Sequence, residues 1–178
     1  MFVDCEVFSQ SAVGSNYKTP HMRRLLFLIS LSFIYSCKTE NKATVLLNIN
    51  HVNKLEFLTV DDKCGEWGGN EKQIIFYRDS FESQLLADYI EKIKDCGSGN
   101  EPKVTKSVKR IKVSEEESKL IIETINELCE NKLSREDFPA HSGIYNRIML
   151  SDSSMIIQDF PSVELKKFNK LTKEIQQK

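Results

Sequence analysis

Apolar residues first gather in one nearly unbroken run. Leu25 to Ile29 are all apolar, and Ser30, Leu31, Ser32 and Phe33 carry the run on to Ile34 and Tyr35, directly behind the basic Arg23 and Arg24. Further on, the pattern changes to alternation. Leu55, Phe57 and Thr59 interleave with Glu56, Leu58 and Val60, as in a strand over 54–60 buried on at least one face. Residues 61–70 hold three glycines and two aspartates, a loop composition. The β-branched and aromatic Ile74, Ile75, Phe76 and Tyr77 predict a second strand over 73–79. Residues 85–94 fit two periods: Leu85, Leu86, Tyr89, Ile90 and Ile93 make a helical stripe, whereas Ala87, Tyr89 and Ile93 make a strand face. Their place between strand signals, and the abrupt stop at Asp95-Cys96-Gly97, favour the strand. The glycine- and lysine-rich segment 97–109 reads as a surface loop.

The helices announce themselves by their ends. Ser114 and Glu117 form a capping box, in which each side chain satisfies the other's neighbouring backbone donor. Acids in that first turn suit the positive end of the helix dipole. Leu120, Ile121, Ile125, Leu128 and Cys129 follow at spacings of three and four, so a helix is expected over 114–131. Residues 144–150 and 155–160 flank Ser151-Asp152-Ser153-Ser154, a hairpin signature. Ser162 can then cap a helix over 163–176 that carries Leu165, Phe168, Leu171 and Ile175. The order β-β-(β)-α-β-β-α predicts an α+β fold, a mostly antiparallel sheet of about five strands with two covering helices. It forms a single domain over 54–178, and about 125 residues suffice for one core.

Charge narrows the partners. The 25 basic and 26 acidic residues nearly cancel, so no global field draws in nucleic acid or an anionic membrane. The basic run of Lys103, Lys106, Lys109, Arg110 and Lys112 has no interleaved aromatics and reads as a solvated loop. There is no Gly-x-Ser-x-Gly, P-loop or dinucleotide fingerprint and no Cys-x-x-Cys or paired-histidine spacing, so neither cofactor nor metal is expected.

The N-terminal run carries more information. It is too short to cross a hydrocarbon core that needs about 20 residues, but it fits a signal-peptide apolar region behind Met22-Arg23-Arg24. It ends at Ile34-Tyr35-Ser36-Cys37, which resembles a lipobox, the cleavage motif of bacterial lipoproteins. Ile34 and Ser36 occupy that motif's aliphatic and small positions; Tyr35 is bulkier than the usual residue between them. The resemblance covers residues 22–37 and implies cleavage before Cys37, lipidation of Cys37, and attachment of the exported domain to the cell-envelope membrane. Each buried methylene of such a lipid contributes about 0.8 kcal/mol, so several chains hold a soluble domain in place. A signal peptide acts from the N-terminus, so translation is expected to begin at Met22, with residues 1–21 an upstream mis-start. The mature chain then keeps 22 basic and 24 acidic residues, with 37–53 as a tether.

Export makes a disulfide possible. If the first three strands form a meander, Cys64 and Cys96 lie beyond the same edge of the sheet and are the pair to bridge; the alternative is three buried thiols. Cys129, on the helix stripe, is expected to be a buried free thiol. The segment Asp61-Asp62-Lys63-Cys64-Gly65-Glu66-Trp67-Gly68-Gly69-Asn70 holds the only tryptophan. Trp67 can be a stacking platform with Asp62 and Glu66 as polar contacts, or a structural plug for the end of the sheet. His141, in Phe138-Pro139-Ala140-His141-Ser142-Gly143, can join that recognition surface or act as a general base, though nothing in the sequence pairs it with a nucleophile. The leading expectation is therefore a non-enzymatic, membrane-anchored binding module for an envelope protein or small ligand. The rival is a small envelope hydrolase using His141 and an acid from the 61–70 loop.

Overall fold

The computed structural model describes residues 46–97, 99, 101–136 and 139–178. The signal peptide, Cys37 and most of the tether lie outside the described residues.

Four strands follow one another as a meander: β1 (Leu55–Val60), β2 (Glu71–Tyr77), β3 (Leu86–Ile93) and β4 (Lys103–Lys112). Helix α1 (Glu115–Ser134) returns across the sheet to the hairpin β5 (Ile144–Leu150) and β6 (Ile156–Ser162), and α2 (Lys166–Gln176) closes the fold. The strand order is β4-β3-β2-β1-β5-β6, antiparallel throughout. This is the expected α+β arrangement with six strands instead of about five.

The extra strand is β4, where a surface loop over 97–109 was expected. Its period is broken. The β3–β4 register shifts between Ala87 and Tyr89 and again between Glu91 and Lys92, and Arg110 takes a φ of 59°. Val108 and Ile111 therefore pair with neighbouring inward positions of β3 although three residues apart. A bulge thus hides the alternation that identifies a strand. As an edge strand, β4 also carries the lysines that discourage pairing with other chains.

One face of the sheet is covered by the helices, and its inward residues form rows across the strands. The central row is apolar from edge to edge: Ile157, Ile148, Phe57, Ile74, Tyr89 and Val108. The next row contributes Leu150, Leu55, Phe76, Ala87 and Ile111. Against them α1 sets Leu120, Ile121 and Leu128, and α2 sets Phe168, Leu171 and Ile175, all buried. Phe57 anchors the centre, with the Phe76 ring edge-on at 5.4 Å and the Phe168 ring at 6.2 Å. Burying one such side chain contributes about 1.5–3 kcal/mol. Ile49 is also buried in this core, so the packed domain begins ahead of Lys54 and takes in part of the expected tether.

Both helix starts follow from identifiable acceptors. At α1 the capping box forms as expected: Glu117 N donates to Ser114 Oγ at 3.2 Å, and Ser114 N donates to Glu117 Oε2 at 2.6 Å. At α2 the expected Ser162 cap is replaced. The helix begins three residues later, after Leu165, with no side-chain cap of its own. Its first donors, Lys166 N and Lys167 N, are taken by the two carboxylate oxygens of Glu127 on α1, at 2.9 and 2.8 Å. Ser162 instead accepts from Asn146 Nδ2. A side chain from another helix thus does the work of a local cap.

Candidate functional site

The third inward row differs in chemistry from the two beside it. Across the six strands it reads Asp159, Asn146, Thr59, Lys72, Glu91, Lys106. It lies toward the end of the sheet where the β1–β2, β3–β4 and α1–β5 connections meet. Buried polar groups need partners, and most of this row has them. Thr59 Oγ1 donates to Asn146 Oδ1 at 2.8 Å, and Asn146 Nδ2 donates to Ser162 Oγ and the Val163 carbonyl. Asp159 pairs with Arg135. Tyr89 donates its phenol to Glu91 at 3.2 Å, and the Lys106 ammonium lies over the Tyr89 ring. Burial and the Glu91 charge push the Tyr89 phenol up to about 12. Among the described residues neither lysine of the row makes a side-chain hydrogen bond or ion pair; Lys106 has the Tyr89 ring, and Lys72 has no such contact.

Beside Lys72 is a hollow of about 190 Å³. Thr59 and Lys72 form its floor, Leu165, Phe168 and Asn169 its wall, and Asp61, Asn70, Ile144 and Glu164 its rim. The wall stands there because Glu127 fixes the first turn of α2. The rim is held as firmly. Asp61 Oδ1 accepts from Asn70 N at 2.8 Å and Lys63 N at 3.1 Å, while Oδ2 accepts from Asn70 Nδ2 at 2.9 Å. Asn70 Oδ1 in turn accepts from Lys94 N at 3.1 Å, which ties the loop to the end of β3. A Cβ on Gly69 would meet Asp61 Oδ1 at 1.8 Å, so only glycine allows this close approach.

Between these anchors the 61–70 loop makes a single 3-10 turn, Gly65–Trp67. Cys64 and Cys96 lie at disulfide-bonding distance with their Cα atoms 5.2 Å apart, which staples this turn to the connection after β3. The meander does bring the ends of β1 and β3 to one edge, as the pairing argument requires. Cys129 is a free thiol but half-buried, short of the full burial expected.

Trp67 is 79% exposed, so it does not plug the sheet. Asp62, Glu66 and His141 are exposed as well. His141 precedes β5, and Tyr145 pairs with Val60 at the end of β1, so its loop reaches the same end of the sheet as the 61–70 loop. Proximity stops there. None of the four lines the hollow, and His141 has no orienting carboxylate among the described residues. Of the residues that do line it, sequence reading singles out only Asp61 and Asn70 for a site, within the 61–70 segment. Lys72 and Thr59 are ordinary alternating strand positions, and only the register places them in one polar row beside Phe168. A second hollow, of about 270 Å³ and mainly apolar, lies at the opposite end among Leu46, Leu47, Ile49, Ile125 and Met155, where the described chain begins.

Among the described residues no group of His, Cys, Asp or Glu is placed to hold a metal ion, and no helix is long and apolar enough to cross a membrane. Compared with known proteins, the chain matches no family model, no curated protein and no solved structure.

Proposed function

We propose that the protein is a cell-envelope lipoprotein, anchored by lipid on Cys37, whose exported domain is a binding module. The observation that carries the binding role is Trp67. A large aromatic, 79% exposed, stands on a loop braced by Asp61, Asn70 and the Cys64–Cys96 link. Exposing such a ring has no packing benefit in the free molecule. On a rigid loop it is ordered before a partner arrives, which lowers the entropic cost of association. Tryptophan is also enriched among interface residues whose truncation costs about 2 kcal/mol or more. The anchoring role rests on the residue 22–37 pattern.

The two halves of this reading separate experimentally. In a host that processes lipoproteins, the chain should incorporate labelled fatty acid, and Cys37→Ser should abolish the label. For binding, wild type and Trp67→Ala are compared by pull-down from envelope extract, with melting temperatures for both. Loss of a partner at unchanged melting temperature supports the recognition role. Full recovery of every partner by Trp67→Ala removes Trp67 from the binding surface.

A further inference from the structure

The hollow beside Lys72 has a composition that specifies a ligand class. We infer that it is a binding site for a small monocarboxylate with a compact apolar body, seated with its carboxylate on Lys72 Nζ and its body against Phe168, Leu165 and Ile144. The site uses neither Trp67 nor the lipid anchor, so it goes beyond the function proposed above.

The sign of the ligand follows from which charges are already engaged. Both oxygens of Asp61 accept hydrogen bonds from its own loop. Glu164 holds Asn169 Nδ2 at 2.6 Å and faces solvent at the rim. The carboxylates near the hollow therefore have assigned work, whereas Lys72, a half-buried residue, has no side-chain partner among the described residues. An ammonium stripped of part of its water gains most from an ionised oxygen, because charge-assisted hydrogen bonds are about twice as strong as neutral ones. Glu91 is the cross-strand neighbour of Lys72, but its carboxylate is drawn toward the Tyr89 phenol at 3.2 Å.

The number of charges decides between anions. A phosphate carries more charge than one lysine neutralises, and its surplus would face Asp61, Glu91 and Glu164. A monocarboxylate matches the single cation and leaves nothing over. The surround decides the rest: Phe168, Leu165 and Ile144 offer no polar side-chain atom and the Asn169 amide nitrogen is engaged by Glu164, so the remainder of the ligand is apolar. Size closes the argument. At 190 Å³ the hollow is smaller than the roughly 300–1,000 Å³ of sites for drug-sized molecules. It suits an acid with one ring or a short branched chain.

Phenylacetate and phenylethylamine probe this directly, because they share a ring and differ in the charge of the polar end. With the isotopically labelled full chain, phenylacetate should move the backbone amide resonances of Thr59, Lys72, Ile144 and Asn169 in a saturable, millimolar titration. Phenylethylamine and inorganic phosphate should bind at least about tenfold more weakly, the difference that 1.4 kcal/mol makes. Lys72→Met should weaken phenylacetate to the same degree, and Ile144→Trp, which fills the hollow, should abolish the shifts. Glu91→Gln should leave binding in place or tighten it. The inference is overturned if phenylacetate gives no saturable shift at these residues, if the amine binds as well as the acid, or if binding survives Lys72→Met undiminished. Lys72 is at a half-exposed strand position, so the Lys72→Met result stands even if Ile144→Trp fails to fold.

Discussion

The row through Phe57 and the row through Thr59 lie two residues apart on the same strands and face the same helices, yet their chemistry is opposite. The Phe57 row is apolar across all six strands and roofed by both helices. The Thr59 row is polar across all six, and its roof is incomplete because α2 begins only at Lys166. The first row leaves no choice to a ligand. The second leaves a cation half-covered beside an apolar wall. On the proposed reading, stability and recognition are divided between adjacent layers of one sheet; the polar end is braced by the Cys64–Cys96 link and the Asp61–Asn70 hydrogen bonds.

The largest expected effect comes from attacking the row that both ends share. Phe57→Ala should lower unfolding free energy by about 3–5 kcal/mol, the usual cost of deleting a buried aromatic, measured by denaturant titration. Amide protection should fall at both ends together. Loss confined to one end would mean that the two layers are not one cooperative unit. Reducing the Cys64–Cys96 link should cost about 2–4 kcal/mol, with the steepest rise in amide exchange at residues 61–70 and 94–97. Cys96→Ser should reproduce it. Equal stability with and without reductant would show that the polar end holds its shape without the link.

The smallest effect is invisible at neutral pH. The Tyr89 phenol lies where the two rows meet, and burial followed by the Glu91 charge raises it from 10.0 to about 12. Below pH 10 the phenol is neutral in folded and unfolded chains alike, so its full contribution is present. Above that the unfolded chain releases its proton first, and stability falls until the folded phenol also titrates near pH 12. Tyr89→Phe should flatten the pH dependence of melting across this window. An unchanged slope would place the alkaline sensitivity elsewhere.

Much of this fold is legible in the sequence, for definable reasons. α1 carries its own start signal in Ser114 and Glu117, β1 shows alternation, and β2 is rich in β-branched and aromatic residues. Their elements depend on neighbours in sequence. What escaped depends on neighbours in space. β4 is masked by its bulges, and the start of α2 is set by Glu127, 39 residues before the amide it caps. The exposure of Trp67 is a property of how its loop is tied down, which composition does not report. The candidate site was the least legible of all. Thr59, Lys72 and Phe168 come from three elements, and nothing local marks any of them; their meeting is a consequence of register.

The position of β1 also has a consequence for the order in which the molecule is made. β1 emerges early, and β2, β3 and β4 can zip onto one side of it as they follow. Its other side belongs to β5, and Thr59 meets Asn146 across 87 intervening steps of chain. At about 5–20 residues per second, the strand that ends in the middle of the sheet is an open border for several seconds of synthesis. Leu55 to Val60 then present unpaired backbone donors and acceptors beside apolar side chains, an invitation to any other extended chain. Cys64 and Cys96 both belong to the early meander, so once the chain is in an oxidising compartment their link needs only β1 to β3 and can close before β5 has paired. The late hairpin therefore adds to a sheet whose first half is already fastened, and the hazardous interval ends only when β5 takes its place.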